Sequence, residues 1–166
     1  MISMAVITSA LELGFIYALV ALALFLSFRI LNIADMTTDG SFTLGCAVSA
    51  TVALAGHPFL ALPVAMLAGA CAGVITALLQ TKWGVPSILA GIITNTGLYT
   101  VNLAVMGFSS NLNLLKATTI FTSVPGMKII PAVIITVFVA VLLVVFLNTR
   151  LSLSIRATGD NPDMVR

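Results

Sequence analysis

Apolar residues come in five long runs, with the polar residues gathered between them. The first run, Ala5 to Phe28, is long enough at about 1.5 Å per residue to cross a hydrocarbon layer of about 30 Å. It carries Glu12 near its start and ends at Arg29. Ile30 to Gly40, ILNIADMTTDG, is a polar interruption. The second run, Ser41 to Ala55, is short and rich in small residues, and Gly56, His57 and Pro58 predict a turn after it. Phe59 to Gln80 is the third run. Lys82, Trp83, Gly84 and Pro86 then form a tight connection with an aromatic suited to a membrane interface. The fourth run, Ser87 to Gly107, is unusually polar for a span, with Thr94, Asn95, Thr96, Thr100 and Asn102. Phe108 to Lys128 reads as a looser loop. Ile129 to Leu147, the fifth run, is nearly all Val, Ile, Leu and Phe. That β-branched content does not predict strands, because only helices or closed barrels satisfy the backbone in lipid and the period-2 alternation of a barrel is absent. The pattern predicts an all-α integral membrane protein of about five transmembrane helices.

Composition agrees. Only 7% of residues are charged, against about 25% in soluble domains, and the mean hydropathy is +1.21. A water-soluble protein of this composition would have almost nothing polar to cover its surface. The net charge of +2 is too small and scattered for a nucleic-acid footprint. Cys46 and Cys71 have no partner spacing and read as small buried hydrophobes.

The one long run that does not belong in hydrocarbon is the last, Arg150 to Arg166, with three arginines and two aspartates. Short loops rich in Lys and Arg mark the cytoplasmic side. With this tail inside, alternation of five spans places Arg29 and Lys82 inside as well, and the N-terminus, His57, Lys116 and Lys128 outside. The two sides then divide the basic residues in the sense that the positive-inside rule requires.

Several polar residues stand where a span should be apolar. Glu12 lies about two turns into the first run, where an ionisable group signals function or a partner unless the helix starts late and leaves it at the interface. Asp35 and Asp39, four residues apart, have no His or Cys beside them to suggest a metal. Asp39 or Ser41 is expected to cap the short second helix, with Asn32 to Gly45 as an irregular or half-helical entry that faces a pathway. Thr94, Asn95 and Asn102 are candidates for lining that pathway or for hydrogen bonds between helices. Ala65, Gly69, Gly73 and Ala77, at intervals of four, predict a close-packing stripe. No nucleophile constellation, HExxH or phosphate loop is present, so no catalytic residue, metal or cofactor is expected on this chain.

Three segments carry a resemblance. IRATGDNPDMVR is similar to the coupling loop "R-A-x-G-D-N-x-x-M-x-R" of bacterial ATP-binding-cassette importer permeases, with matches at Arg156, Ala157, Gly159, Asp160, Asn161, Met164 and Arg166. LSFRILNIADMTTDGSFTLG, Leu26 to Gly45, and SILAGIITNTGLYTVNLAVMG, Ser87 to Gly107, resemble segments of permeases related to the branched-chain amino acid importers. More narrowly, they resemble those paired with tryptophan- or tyrosine-type binding proteins. The resemblance implies a second permease subunit, a cytoplasmic ATP-binding subunit that docks on the 150–166 loop, and an extracytoplasmic substrate-binding protein. Gly159 and Pro162 are expected to break the fifth span away from any following helix. Such permeases continue past this loop, so the resemblance implies an N-terminal portion that does not transport by itself. A small self-contained channel or secondary carrier is the competing reading; a carrier is expected to show two related halves, and no internal repeat is evident.

The expected topology is open to direct measurement. In a variant with Cys46 and Cys71 replaced by serine, an impermeant thiol reagent added outside should label Lys116→Cys and spare Ser154→Cys. Labelling of both would overturn the assignment.

Overall fold

The structure is a computed structural model of the chain and describes residues 4–114, 117, 119 and 129–160. The elements among them are α1 (Met4–Phe25), a π-helical turn that continues it (Leu26–Ile30), α2 (Thr37–Leu54), α3 (Pro58–Thr81), α4 (Ser87–Val105), α5 (Ile129–Leu147) and α6 (Arg150–Asp160). All are helical, as the apolar pattern predicts. Four segments are long and apolar enough to cross a membrane: Val6–Ile30, Pro58–Thr81, Ser87–Val105 and Ile129–Leu147. The second run forms a helix as well, but α2 starts at Thr37 rather than Ser41. It reaches 18 residues only by taking in Thr37, Thr38, Asp39 and Gly40, and it is not among the four. Most of the expected 108–128 loop, Lys116 and Lys128 included, lies outside the described residues.

The helices form two compact units, with the boundary after Ala34. The first holds α1, its π-helical turn, α5 and α6. Here α1 packs along α5, and the seam is made by small and polar residues. Pro131, Ala132 and Thr136 are the buried positions of α5. Thr136 Oγ1 lies 2.8 Å from Ala132 O and 3.0 Å from Phe15 O, so its proton is shared between its own helix and α1. An interhelical hydrogen bond of this kind in a membrane contributes about 0.6 kcal/mol on average. Phe15 meets Thr136 midway, and Arg29 and Ile30 meet Arg156 beyond the end of α5. The two helices therefore run parallel.

The second unit holds α2, α3 and α4. A Cβ built on Gly45 would lie 3.8 Å from Ala65 O, and one on Gly69 would lie 3.9 Å from Ser41 O; α2 and α3 run antiparallel. Gly40 faces Asn95 and Leu98, and Gly91 faces Met36; α2 and α4 run parallel. Leu44, Ala72 and Leu98 form the core of the unit, with Val48 and Ala68 packed against it. The small-residue stripe is real but bends away from its predicted line. Ala65 and Gly69 are half-buried, whereas Gly73 and Ala77 are exposed and the inner line continues through Ala72 and Thr76. Each step of four advances about 40° around a 3.6-residue helix, so a strict four-residue interval leaves the interface within a few steps. Cys46 and Cys71 are exposed free thiols, contrary to their expected burial, because they too lie off the inner lines of α2 and α3.

The approach of α4 to the start of α2 depends on two missing side chains. A Cβ on Gly91 would lie 3.0 Å from Met36 N and 3.3 Å from Met36 Cα, both backbone atoms. A Cβ on Gly40 would meet Asn95 and Leu98 side-chain atoms instead, which swing aside more cheaply than backbone. Gly91→Ala should therefore cost roughly 1–3 kcal/mol as overpacking and Gly40→Ala less. Thermal unfolding of the two variants in detergent measures the difference, and equal losses would contradict the contact.

Candidate functional site

Between the π-helical turn and α2 the chain must leave one helix and enter another. Ser27 closes the first. Its backbone carbonyl accepts the Ile33 N–H at 3.2 Å, and its hydroxyl donates to Ile33 O at 2.8 Å. Asn32 stands between them at φ 53°, the left-handed conformation that an asparagine tolerates better than most side chains. Residues 31–36 are irregular, as expected of the entry segment. The cap is different from the expected one. Asp35 Oδ1 accepts the Thr37 N–H at 2.8 Å and the Thr37 hydroxyl, so Asp35 holds the start of α2. Ser41 donates back to Thr38 O at 3.0 Å and does not cap. Asp39 is exposed in the first turn of α2, where a carboxylate is favoured by the helix dipole. The two aspartates thus have separate tasks. Proximity to a free N–H decides the cap, and an aspartate two residues before the first helical N–H reaches it through the local turn that Asp and Asn form readily.

On α4, Ala90, Gly91, Thr94 and Leu98 are buried. Thr94 Oγ1 and Asn102 Oδ1 are buried without a hydrogen-bond partner among the described residues. Asn95 is exposed at its side-chain edge while its Oδ1 lies over Gly40. Thr96 is exposed and donates to its own helix at Ile92 O, 2.9 Å. The α2–α4 seam therefore joins Asp35, Gly40, Thr94 and Asn95 in one neighbourhood. Orphan oxygens at such a seam are costly in hydrocarbon and well suited to accept a polar group or water. Glu12 belongs to the other unit, half-buried on α1.

The tail departs from its expected form. It is helical from Arg150 through Asp160, with Gly159 in the last turn described, and Pro162 lies outside the described residues. The break comes earlier, at Asn148 and Thr149. Thr149 Oγ1 donates to Phe146 O at 2.6 Å and accepts the Ser152 N–H at 3.4 Å, which makes Thr149 the cap of α6. The signal was present as a threonine three residues before Ser152 at the polar border of the fifth run. Ser152 is fully buried, whereas Leu151 and Leu153 are 70% and 59% exposed. Arg156 and Ala157 are exposed as well. Asn161, Met164 and Arg166 lie outside the described residues.

Parallel and antiparallel apolar helices, an irregular entry and an amphipathic helix leading out of the last span define a multi-pass membrane protein. Residues 6–166 match the family described as "Branched-chain amino acid transport system / permease component", and the chain belongs to that family. It is 33% identical over 164 residues to a protein of Clostridioides difficile (strain R20291) named as a tyrosine transport system permease protein, covering 96% of this chain and 54% of that one. It is 34% identical over 163 residues to an uncharacterized protein of Rickettsia prowazekii (strain Madrid E), covering 98% and 58% respectively. The chain thus spans about half the length of the curated relatives it matches. No solved structure matches it. Family membership and the four apolar helices together place the chain in the bacterial inner membrane as a multi-pass protein.

The two aspartates should separate in a stability measurement. Asp35→Ala removes the partner of two Thr37 donors and should cost about 1 kcal/mol, with much of the loss restored by Asp35→Asn. Asp39→Ala should change thermal unfolding in detergent much less. The reverse order would show that Asp39 holds the helix.

Proposed function

We propose that this chain is the membrane-spanning part of a permease subunit in an ATP-binding-cassette importer of amino acids or similar small solutes. Supporting the reading are its membership of the permease family and the tyrosine-transport name of a relative. The observation that carries the coupling role is α6. It carries the first residues of the coupling motif, leaves the last span through a capped two-residue break, and presents Leu151 and Leu153 outward. A rigid amphipathic helix of this kind is what a permease needs to receive motion from an ATPase, because no phosphate loop lies on its own chain.

In this reading the tail faces the cytoplasm and the N-terminus the outside. A cytoplasmic ATP-binding subunit docks on α6, a second permease subunit completes the path, and an extracytoplasmic binding protein delivers the solute. Thr94, Asn95 and Asn102 offer oxygens and amides along the path. Asp39 stands free at its cytoplasmic entry, and Asp35 holds the entry in shape. Glu12, close to the outer end of α1, serves the delivery side.

The test uses the assembled transporter in proteoliposomes. Gly159→Pro places a ring against the Ile155 carbonyl and removes an N–H, deforming α6 outside the bilayer. Insertion should be unaffected, and substrate-stimulated ATP hydrolysis should fall about tenfold, the loss equivalent to about 1.4 kcal/mol of docking. Leu151→Asp should act in the same direction. Unchanged stimulation in both would remove the docking role, and uptake by this chain without any ATPase would replace the importer with a secondary carrier.

A further inference from the structure

Arg29 and Arg156 open onto one cleft of about 340 Å³, whose remaining lining residues are Phe25 and Ile30. The four side chains come from two elements of the same unit, the end of α1 with its π-helical turn and the amphipathic helix α6. Among the described residues no acidic side chain lines the cleft. A guanidinium stays charged at any physiological pH, so two of them facing one space repel each other unless an anion lies between. A helix C-terminus favours Arg29 by its dipole, whereas Arg156 stands in the interior of α6, away from either helix end.

The position of the cleft identifies the anion. The apolar span of α1 runs to Ile30 and that of α5 to Leu147. The cleft therefore lies where hydrocarbon gives way to water. Phe25 is 47% exposed on its apolar side, and Leu151 and Leu153 of α6 also stand uncovered. A small soluble anion would use the two arginines and leave the apolar wall bare. A phospholipid uses both, its phosphate accepting from the paired guanidinium forks and its acyl chain lying along Phe25. Basic pockets beside transmembrane helices bind anionic headgroups for this reason.

We propose that the Arg29–Arg156 cleft binds the phosphate of an anionic phospholipid, which ties the end of α1 to α6. The site does not depend on the importer reading, since it needs only this chain and a bilayer. Bound lipid would brace α6 on the side that carries Ser152 and Arg156.

The experiment is native mass spectrometry of the protein in neutral detergent, titrated with dioleoylphosphatidylglycerol or dioleoylphosphatidylcholine. Phosphatidylglycerol should bind about tenfold more tightly, and Arg29→Gln and Arg156→Gln should each weaken it about tenfold, as loss of one charge-assisted contact does. Arg150→Gln removes an equal charge from the same helix outside the cleft and should leave binding within about twofold of the parent. Arg29→Lys and Arg156→Lys, with helix content followed by circular dichroism, should retain part of the affinity and separate binding from folding. Equal binding of the two lipids would overturn the proposal, as would an equal loss in Arg150→Gln. Unchanged binding in Arg156→Gln would also overturn it. Displacement of phosphatidylglycerol by millimolar inorganic phosphate would assign the cleft to the free ion instead.

Discussion

The fold depends on one constraint: in lipid, a backbone group released from a helix must find another partner. The chain meets this constraint at the passage from Leu26–Ile30 to Thr37. Ser27 binds Ile33 through both its carbonyl and its hydroxyl, and Asp35 takes two protons from Thr37. These short local closures let the chain cross from one compact unit to the next without a long polar loop. They also explain why the segment is rich in Asn, Asp and Thr in a protein with so few polar residues. Those side chains replace the helical partners that the backbone has lost.

The second consequence concerns distance. Lipid tails are as apolar as leucine, so helices gain little from burying large hydrophobes against each other and associate by close packing instead. Most of the buried positions are accordingly small, such as Ala61, Ala72, Ala90 and Ala132, with Thr76, Thr94 and Thr136, although Leu44 and Leu98 are buried as well. The large side chains turn outward, as Phe138, Val141 and Leu142 do on α5. Close packing is most demanding at Gly91, where the backbone of Met36 occupies the place of a side chain. The passage and the α4 seam are thereby joined, and the unpartnered oxygens of Thr94 and Asn102 lie on the same helix.

The tail adds a different kind of surface. Thr149 starts α6 two residues beyond the fifth span, so the amphipathic helix is held near the bilayer rather than trailing from it. One side of it buries Ser152 and brings Arg156 to the cleft with Arg29, while Leu151 and Leu153 stand exposed on its two flanks, about 200° apart around the helix.

The membrane class, the helical content and the approximate limits of α3, α4 and α5 were legible in the sequence, because a span is written as a long unbroken apolar run and needs no tertiary partner to be recognised. The family resemblance was legible too, since its motifs are local. What the sequence could not decide were the choices made by neighbours in space. Asp35, Asp39 and Ser41 are all chemically able to cap α2, and only the path of residues 31–36 selects Asp35. The intervals of Ala65, Gly69, Gly73 and Ala77 suggested one line of contact, but helical drift and the position of α2 route the interface through Ala72 and Thr76. The helical form of the segment from Arg150, started by the Thr149 cap, was likewise not read from the sequence. Arg29 and Arg156, separated by most of the chain, share a cleft only because α1 and α5 run parallel, and that parallel packing is a property of the fold rather than of either segment.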